Sequence, residues 1–214
     1  MNLMNPVQIH SLLSEHDIYL FREGSHGRLY DRFGAQATEK DGQSGFQFSV
    51  WAPNAEQVSV VGDFNHWQAG RHALHRRTDG SGIWEGFLAG PALGDGYKFH
   101  VSSAGGEQEK ADPFARQSEE PPRSASRLCT LDYTWADDDW MANRRAANAL
   151  NAPLSIYEVH LGSWRRVPEE GDRWLSYREM APQLAAYVQQ MGFTHVELLP
   201  VMEHPFYGSW GYQT

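Results

Sequence analysis

Phe46-Gln47-Phe48-Ser49-Val50-Trp51 alternates apolar with polar or amphipathic side chains and stops at Ala52-Pro53-Asn54, three turn residues. A period of two closed by a turn is a strand with one face toward a core. Downstream, Val58 to Val61 is a second short apolar run, ended by Gly62-Asp63, and Ile83 to Leu88 is a third, entered through Asp79-Gly80-Ser81-Gly82. After the turn Gly94-Asp95-Gly96, Tyr97, Phe99 and Val101 alternate with Lys98 and His100. Short strands with turn signals at near-regular spacing, and no helical period between them, predict an all-β immunoglobulin-like sandwich over residues 37–125.

Upstream, residues 1–36 read as an ordered lead-in, with a short helix of poor periodicity over Pro6 to Tyr19. Downstream, the period fails from Pro113 to Asn151. Glu119-Glu120-Pro121-Pro122 and Asp137-Asp138-Asp139 mark a polar connection, whose linker is set at 126–153. Trp135 and Trp140 imply that it lies on a surface. A different pattern starts at Pro153. Ser155 to Leu161 reads as a strand, and Tyr177, Met180, Leu184, Tyr187, Val188 and Met191 fall at helical spacing. Ser176 and Glu179 form a capping box and Gly192 is the stop. Pro182 at an interior position removes a hydrogen bond, so the regular helix either tolerates it or starts there. His195 to Val201 is a second, almost wholly apolar strand. Strand, helix, strand is a βαβ unit. Such a parallel pair needs further strands and helices on its faces, so residues 154–214 are expected to be the truncated start of a larger α/β domain.

Composition narrows the function classes. The chain has 214 residues, 41% apolar and 21% charged, an ordinary globular balance. It has no apolar run of membrane-spanning length and no leader pattern at its start, so the expected compartment is the cytoplasm. Cys129 is the single cysteine, which excludes intrachain disulfides and cysteine-clustered metal sites. A net charge of −9 with scattered basic residues argues against nucleic acid as a partner, and no membrane partner is expected. Eight Trp and nine Tyr supply flat faces with a polar edge, suited to sugar rings. No phosphate-binding loop, dinucleotide fingerprint or nucleophile elbow is present. His72 and His75, beside Arg71, Arg76 and Arg77, read as a solvated hairpin face. Glu203-His204 follows the second strand, where barrels deliver functional residues, with ordering of the loop as probable a role as catalysis.

Two sets of residues carry a family resemblance. Phe48-Ser-Val-Trp-Ala-Pro-Asn-Ala55, Val58-Ser-Val-Val-Gly-Asp-Phe-Asn65 with Trp67, Gly82-Ile-Trp-Glu85 and Tyr97-Lys-Phe99 resemble the family 48 carbohydrate-binding module. Residues 154–214, from Leu154-Ser-Ile-Tyr-Glu-Val-His-Leu-Gly-Ser-Trp164 to Gly208-Ser-Trp-Gly-Tyr-Gln213, resemble the opening of the family 13 (β/α)8 barrel in bacterial 1,4-α-glucan branching enzymes. Phe21 to Tyr30 shares that likeness. The resemblance implies a glycosyltransferase of glycogen biosynthesis working by retaining transglycosylation. An α-1,4 link is cleaved through a covalent glucan–enzyme, and the chain passes to a glucose 6-hydroxyl to form an α-1,6 branch. It implies α-glucan (glycogen, amylose) as partner, no cofactor, no metal and a monomeric parent. The catalytic carboxylates are expected beyond Thr214, and neither Glu158, Glu197 nor Glu203 matches their motifs. Carried over by position, Trp67 and Lys98 are the glucan-binding residues of the sandwich, and Trp210, Tyr212 and Gln213 are substrate-binding residues of the barrel. The alternatives are a debranching or trehalose-releasing relative, which shares the first motif set, and a stand-alone glycan-binding module.

Overall fold

The computed structural model describes residues 6–120, 122–202, 204 and 206–213, in two compact units, Met1–Asp132 and Tyr133–Thr214. In the first, eight strands run in chain order: β1 (Gly34–Lys40), β2 (Gln43–Trp51), β3 (Gln57–Gly62), β4 (His75–Arg76), β5 (Ile83–Ala89), β6 (Gly96–Ser103), β7 (Gly106–Lys110) and β8 (Ser126–Arg127). One sheet has the order β1-β2-β5-β4 and the other β3-β6-β7, with β8 also on β6. Every pairing is antiparallel. The inward positions predicted by the period of two meet between the sheets: Phe46, Phe48 and Val50 pack with Val58, Val60, Leu74, Trp84, Leu88, Tyr97 and Phe99.

The sandwich reaches beyond the expected limits of 37–125. β1 starts at Gly34, Ser126 and Arg127 pair with Tyr97 and Gly96, and Leu128 is a core residue. β1 and β7, Gly-Ala-Gln-Ala-Thr-Glu-Lys and Gly-Glu-Gln-Glu-Lys, escape a hydrophobic-period reading because they are edge strands with few or no apolar residues. Gly34 has φ +75°, and a Cβ there would lie 2.7 Å from Asp112 Oδ2. Asp112 is buried and accepts the Tyr97 hydroxyl at 2.5 Å; burial pushes its carboxyl above the usual range.

The lead-in is a structural layer. On β2 the alternate residues Gln47 and Ser49 face away from the core cluster, yet both are buried, and His10 of the lead-in lies against Gln47. Gln8 exchanges backbone hydrogen bonds with Phe87 at 2.8 and 2.9 Å, and the Gln47 amide donates to the His10 carbonyl at 2.9 Å. The first helix, α1 (Glu15–Glu23), has a Ser14/Asp17 capping box and ends on Gly24. It starts later than the predicted Pro6 to Tyr19, since these two caps outweigh the weak apolar period. Ile18 and Phe21 then close a second cluster with Leu13, Phe33 and Ile83. Ser11 donates to Glu85 at 2.7 Å and Arg77 binds both Glu85 and Asp79. Burial opposes ionisation of Asp79, but donors from Ser81 and the Arg77 guanidinium draw it down to about 2.

The second unit holds α2 (Asp138–Ala147), β9 (Ile156–Val159), α3 (Leu161–Trp164), the short hairpin β10 (Arg166–Val167) and β11 (Arg173–Trp174), α4 (Tyr177–Met191) and β12 (His195–Leu198). The expected linker thus contains a helix, one with no buried residue. β9 and β12 pair in parallel, His195 opposite Ile156 and Leu198 opposite Val159. α4 begins at Tyr177 on the Ser176/Glu179 capping box and carries Pro182 inside. Pro182 therefore does not start the helix. α4 joins the pair through Tyr187, 5.3 Å from the Tyr157 ring, and Phe193, just after the helix, lies 5.0 Å from the same ring. Ile156, Val196 and Leu198 remain exposed, as a parallel pair lacking its outer layers requires. Among the described residues no helix is long and apolar enough to cross a membrane.

Candidate functional site

The loop after β3 is built by three residues. Gly62 is extended, and a Cβ there would stand 2.4 Å from the Gly96 carbonyl and 2.7 Å from the Phe64 ring, so only glycine lets the chain turn against β6. Asn65, fully buried, accepts the Gly62 N–H at 2.9 Å, donates to the Val60 carbonyl at 2.9 Å and meets His72 Nδ1 at 3.0 Å. Asp63 accepts the Gly96 N–H at 2.7 Å through one oxygen and the Trp67 indole N–H at 3.1 Å through the other. His66 and Trp67 both take left-handed backbone angles, φ +57° and +59°, a strained pair that this hydrogen-bonded frame holds.

The result places Trp67 on the outer face of the second sheet. Its ring comes within 3.5 Å of where a Gly96 Cβ would be, so glycine at 96 leaves the indole room to lie on the strand. At 36% exposure Trp67 is not a core residue. Lys98, two residues along β6 and hence on the same face, donates to the Ser124 hydroxyl at 3.1 Å. Trp67 and Lys98 are thus brought to one face, with Ser124 as a third member. The combination of a flat apolar ring with an ammonium and a hydroxyl suits a ligand with apolar faces and a rim of hydroxyls. Asp63 and Asn65 lie within the quoted Val58–Asn65 motif but were not named as site residues, and Ser124 lies in no motif. The first two carry a signal, Asp-Phe-Asn before an aromatic residue, that reads as turn chemistry. Ser124 carries none, because it arrives from a distant segment.

His72 departs from the predicted solvated hairpin face. It is buried, tied to Asn65 and 5.7 Å from the Phe64 ring, because the loop folds back onto β3, where His72 O accepts from Val60 N. Only His75 of that pair is exposed. Among the described residues no group of three or more His, Cys, Asp or Glu could hold a metal ion. Cys129 is half-buried, and burial pushes its thiol up.

In the second unit, Trp210 and Gly211 have φ +54° and +84°, and a Cβ on Gly211 would strike the Pro200 carbonyl at 2.7 Å. This tight turn holds the segment against the end of β12 and leaves Tyr212 67% exposed, beside an exposed Gln213. Trp210 lies 5.3 Å from the ring of His160, which follows β9. His160 lies within the Leu154–Trp164 motif, where no role was assigned to it. Glu158 and Glu197 face each other across the strand pair, and Glu203 lies outside the described residues.

Residues 32–115 match the model of carbohydrate-binding module 48 (isoamylase N-terminal domain). The chain is 59% identical over 212 residues to a 1,4-alpha-glucan branching enzyme of Aromatoleum aromaticum, covering 99% of this chain and 32% of that protein. It is 55% identical over 203 residues to the enzyme of that name from Aquifex aeolicus, covering 95% and 32%. The chain thus spans about a third of the length of the curated relatives it matches. Among solved structures, the GBS pullulanase SAP in complex with maltotetraose superposes with a TM-score of 0.57 at 19% identity, over 82% of this chain and 24% of that one, a likeness of fold. Along nearly every residue the chain is thus more than one-half identical to 1,4-alpha-glucan branching enzymes, and residues 32–115 are similar to carbohydrate-binding module 48.

Proposed function

We propose that the whole protein transfers α-1,4-glucan segments to 6-hydroxyls, forming α-1,6 branches, and that the first unit of this chain holds the glucan. The observation that carries this reading is the identity to branching enzymes over nearly the full chain. The parallel β9-α4-β12 arrangement with its exposed apolar strands supports residues 154–214 as the start of a (β/α)8 barrel, completed by chain outside these 214 residues. The carboxylates of the transfer belong to that remainder. This chain's own part is to bind and orient: Trp67 stacks on a sugar face, Lys98 and Ser124 reach its hydroxyls, and Trp210, Tyr212 and Gln213 stand at the barrel face where the reacting sugar sits.

The sandwich site is tested on the 214-residue chain. Trp67→Ala is expected to weaken retention on immobilised amylose about tenfold, the worth of one aromatic platform. Circular dichroism should be unchanged, since Trp67 lies outside the core. Unchanged retention with an intact fold removes Trp67 from the site.

A further inference from the structure

β9 and β12 end side by side. Val159 stands opposite Leu198, and the Leu199 N–H donates to the Val159 carbonyl at 3.0 Å. His160 and Pro200 therefore leave the sheet at the same end, the carboxyl end at which barrel strands carry their sites. Residues 209–212 come back against that end as a tight turn. The Tyr212 N–H donates to the Ser209 carbonyl at 3.0 Å, and the two residues between, Trp210 and Gly211, have φ +54° and +84°. Two successive positive φ values closed by that hydrogen bond are the pattern of a type I′ turn.

Such a turn favours Gly, Asn or Asp at both central positions, because these take a positive φ at little cost. Gly211 meets that demand. Trp210 does not: a bulky side chain in the left-handed region is strained, and it stays there where its surroundings hold it. Two contacts do so. Gly211 lies against Pro200, so close that a Cβ would stand 2.7 Å from the carbonyl oxygen, and the Trp210 ring lies 5.3 Å from the His160 ring at an interplanar angle of 45°. The imidazole is itself set in place. The His160 carbonyl accepts the Ser163 N–H at 3.1 Å and the Ser163 hydroxyl at 3.2 Å. A Cβ on Gly162 would stand 3.0 Å from His160 Cε1, so glycine at 162 leaves the ring room. Among the described residues neither nitrogen of that ring makes a hydrogen bond or an ion pair, so its hold on Trp210 is that of a ring against a ring.

We propose that His160 is a positioning residue for Tyr212: its ring holds Trp210 in the left-handed conformation, and the turn formed by Trp210 and Gly211 then fixes the direction in which Tyr212 leaves it. Each strand supplies one clamp, Pro200 after β12 and His160 after β9. The proposal rests on the reading that Tyr212 meets the reacting sugar, and it gives His160 no contact with substrate. Without the clamp the turn samples other conformations. A tyrosine displaced by about 1 Å then costs rate more than binding, since the other contacts still retain the glucan.

Kinetics of the full-length enzyme on amylose test this. His160→Ala should lower kcat about fivefold, the worth of one aromatic contact, and change KM by less than about twofold. His160→Phe keeps a flat ring beside Trp210 and should restore kcat to within about twofold of wild type. On a Tyr212→Ala background, His160→Ala should cost less than about twofold, because a residue that acts through Tyr212 has nothing left to position. Should His160→Ala melt early, His160→Leu, which fills the space without a flat ring, should show the same coupling. An equal loss in both backgrounds, no rescue by phenylalanine, or wild-type kcat in His160→Ala while Tyr212→Ala loses activity, overturns the positioning role alone. Wild-type kcat in Tyr212→Ala overturns the reading of Tyr212 and the positioning role with it.

Discussion

In the intact enzyme, Tyr212→Ala is expected to lower kcat by about thirtyfold, with Tyr212→Phe near wild type. The difference isolates the ring. An aromatic face against a sugar that becomes positively charged in the transition state contributes about 2 kcal/mol where water is excluded, and the hydroxyl adds little to that term. The local structure makes the substitution a clean probe. Tyr212 is 67% exposed in the described chain, and the turn beneath it is fixed by Gly211 against Pro200 and by Tyr212 N–H on the Ser209 carbonyl at 3.0 Å. Losing the side chain leaves that backbone in place, so the melting temperature should move by no more than about 2 °C. Equal kcat in the two variants, or a loss that tracks unfolding, removes Tyr212 from the substrate site.

Asn65→Ala should have the largest effect on stability of any change outside the core, about 3 kcal/mol. The asparagine has no access to solvent and joins Gly62 N–H, the Val60 carbonyl and His72. Removing it strands buried groups that water cannot reach, each worth about 1–3 kcal/mol. The first unit should melt roughly 10 °C lower. Because the same frame holds the left-handed Trp67, glucan affinity should fall as well, even at temperatures where the sheets stay folded. Calorimetry and amylose retention on one sample separate the two consequences. A melting shift below about 2 °C would show that Asn65 does not hold the loop.

What the sequence announced and what it hid follow from one physical distinction. β2, β3, β5 and β6 were legible because each turns an apolar face to the core, and a period of two is visible in any strand that does so. α4 was legible through its capping box and Gly192, which are local signals. β1 and β7 were hidden: they lie at sheet edges and contribute backbone pairing more than hydrophobic surface. The covering of Gln47 and Ser49 was hidden too, since a strand pattern shows which face is apolar and not what lies over the other one. At the site, Trp67 and Lys98 were found through motif resemblance, and the structure explains their meeting by the glycine at 96 and the shared face of β6. Ser124 needed the fold itself, because it reaches Lys98 from a segment 26 residues away.

The central claim, that this chain is part of a glucan branching enzyme and binds glucan without performing the transfer, is tested most directly by proton NMR of amylose after incubation. The full-length protein should generate new α-1,6 anomeric signals, and the 214-residue chain should give no more than a boiled control, since in the proposed reading a barrel assembles its active site from loops after several strands, and the described residues of the second unit hold one parallel strand pair. No new signal from the full-length protein, or branching by the 214-residue chain alone, would contradict the account.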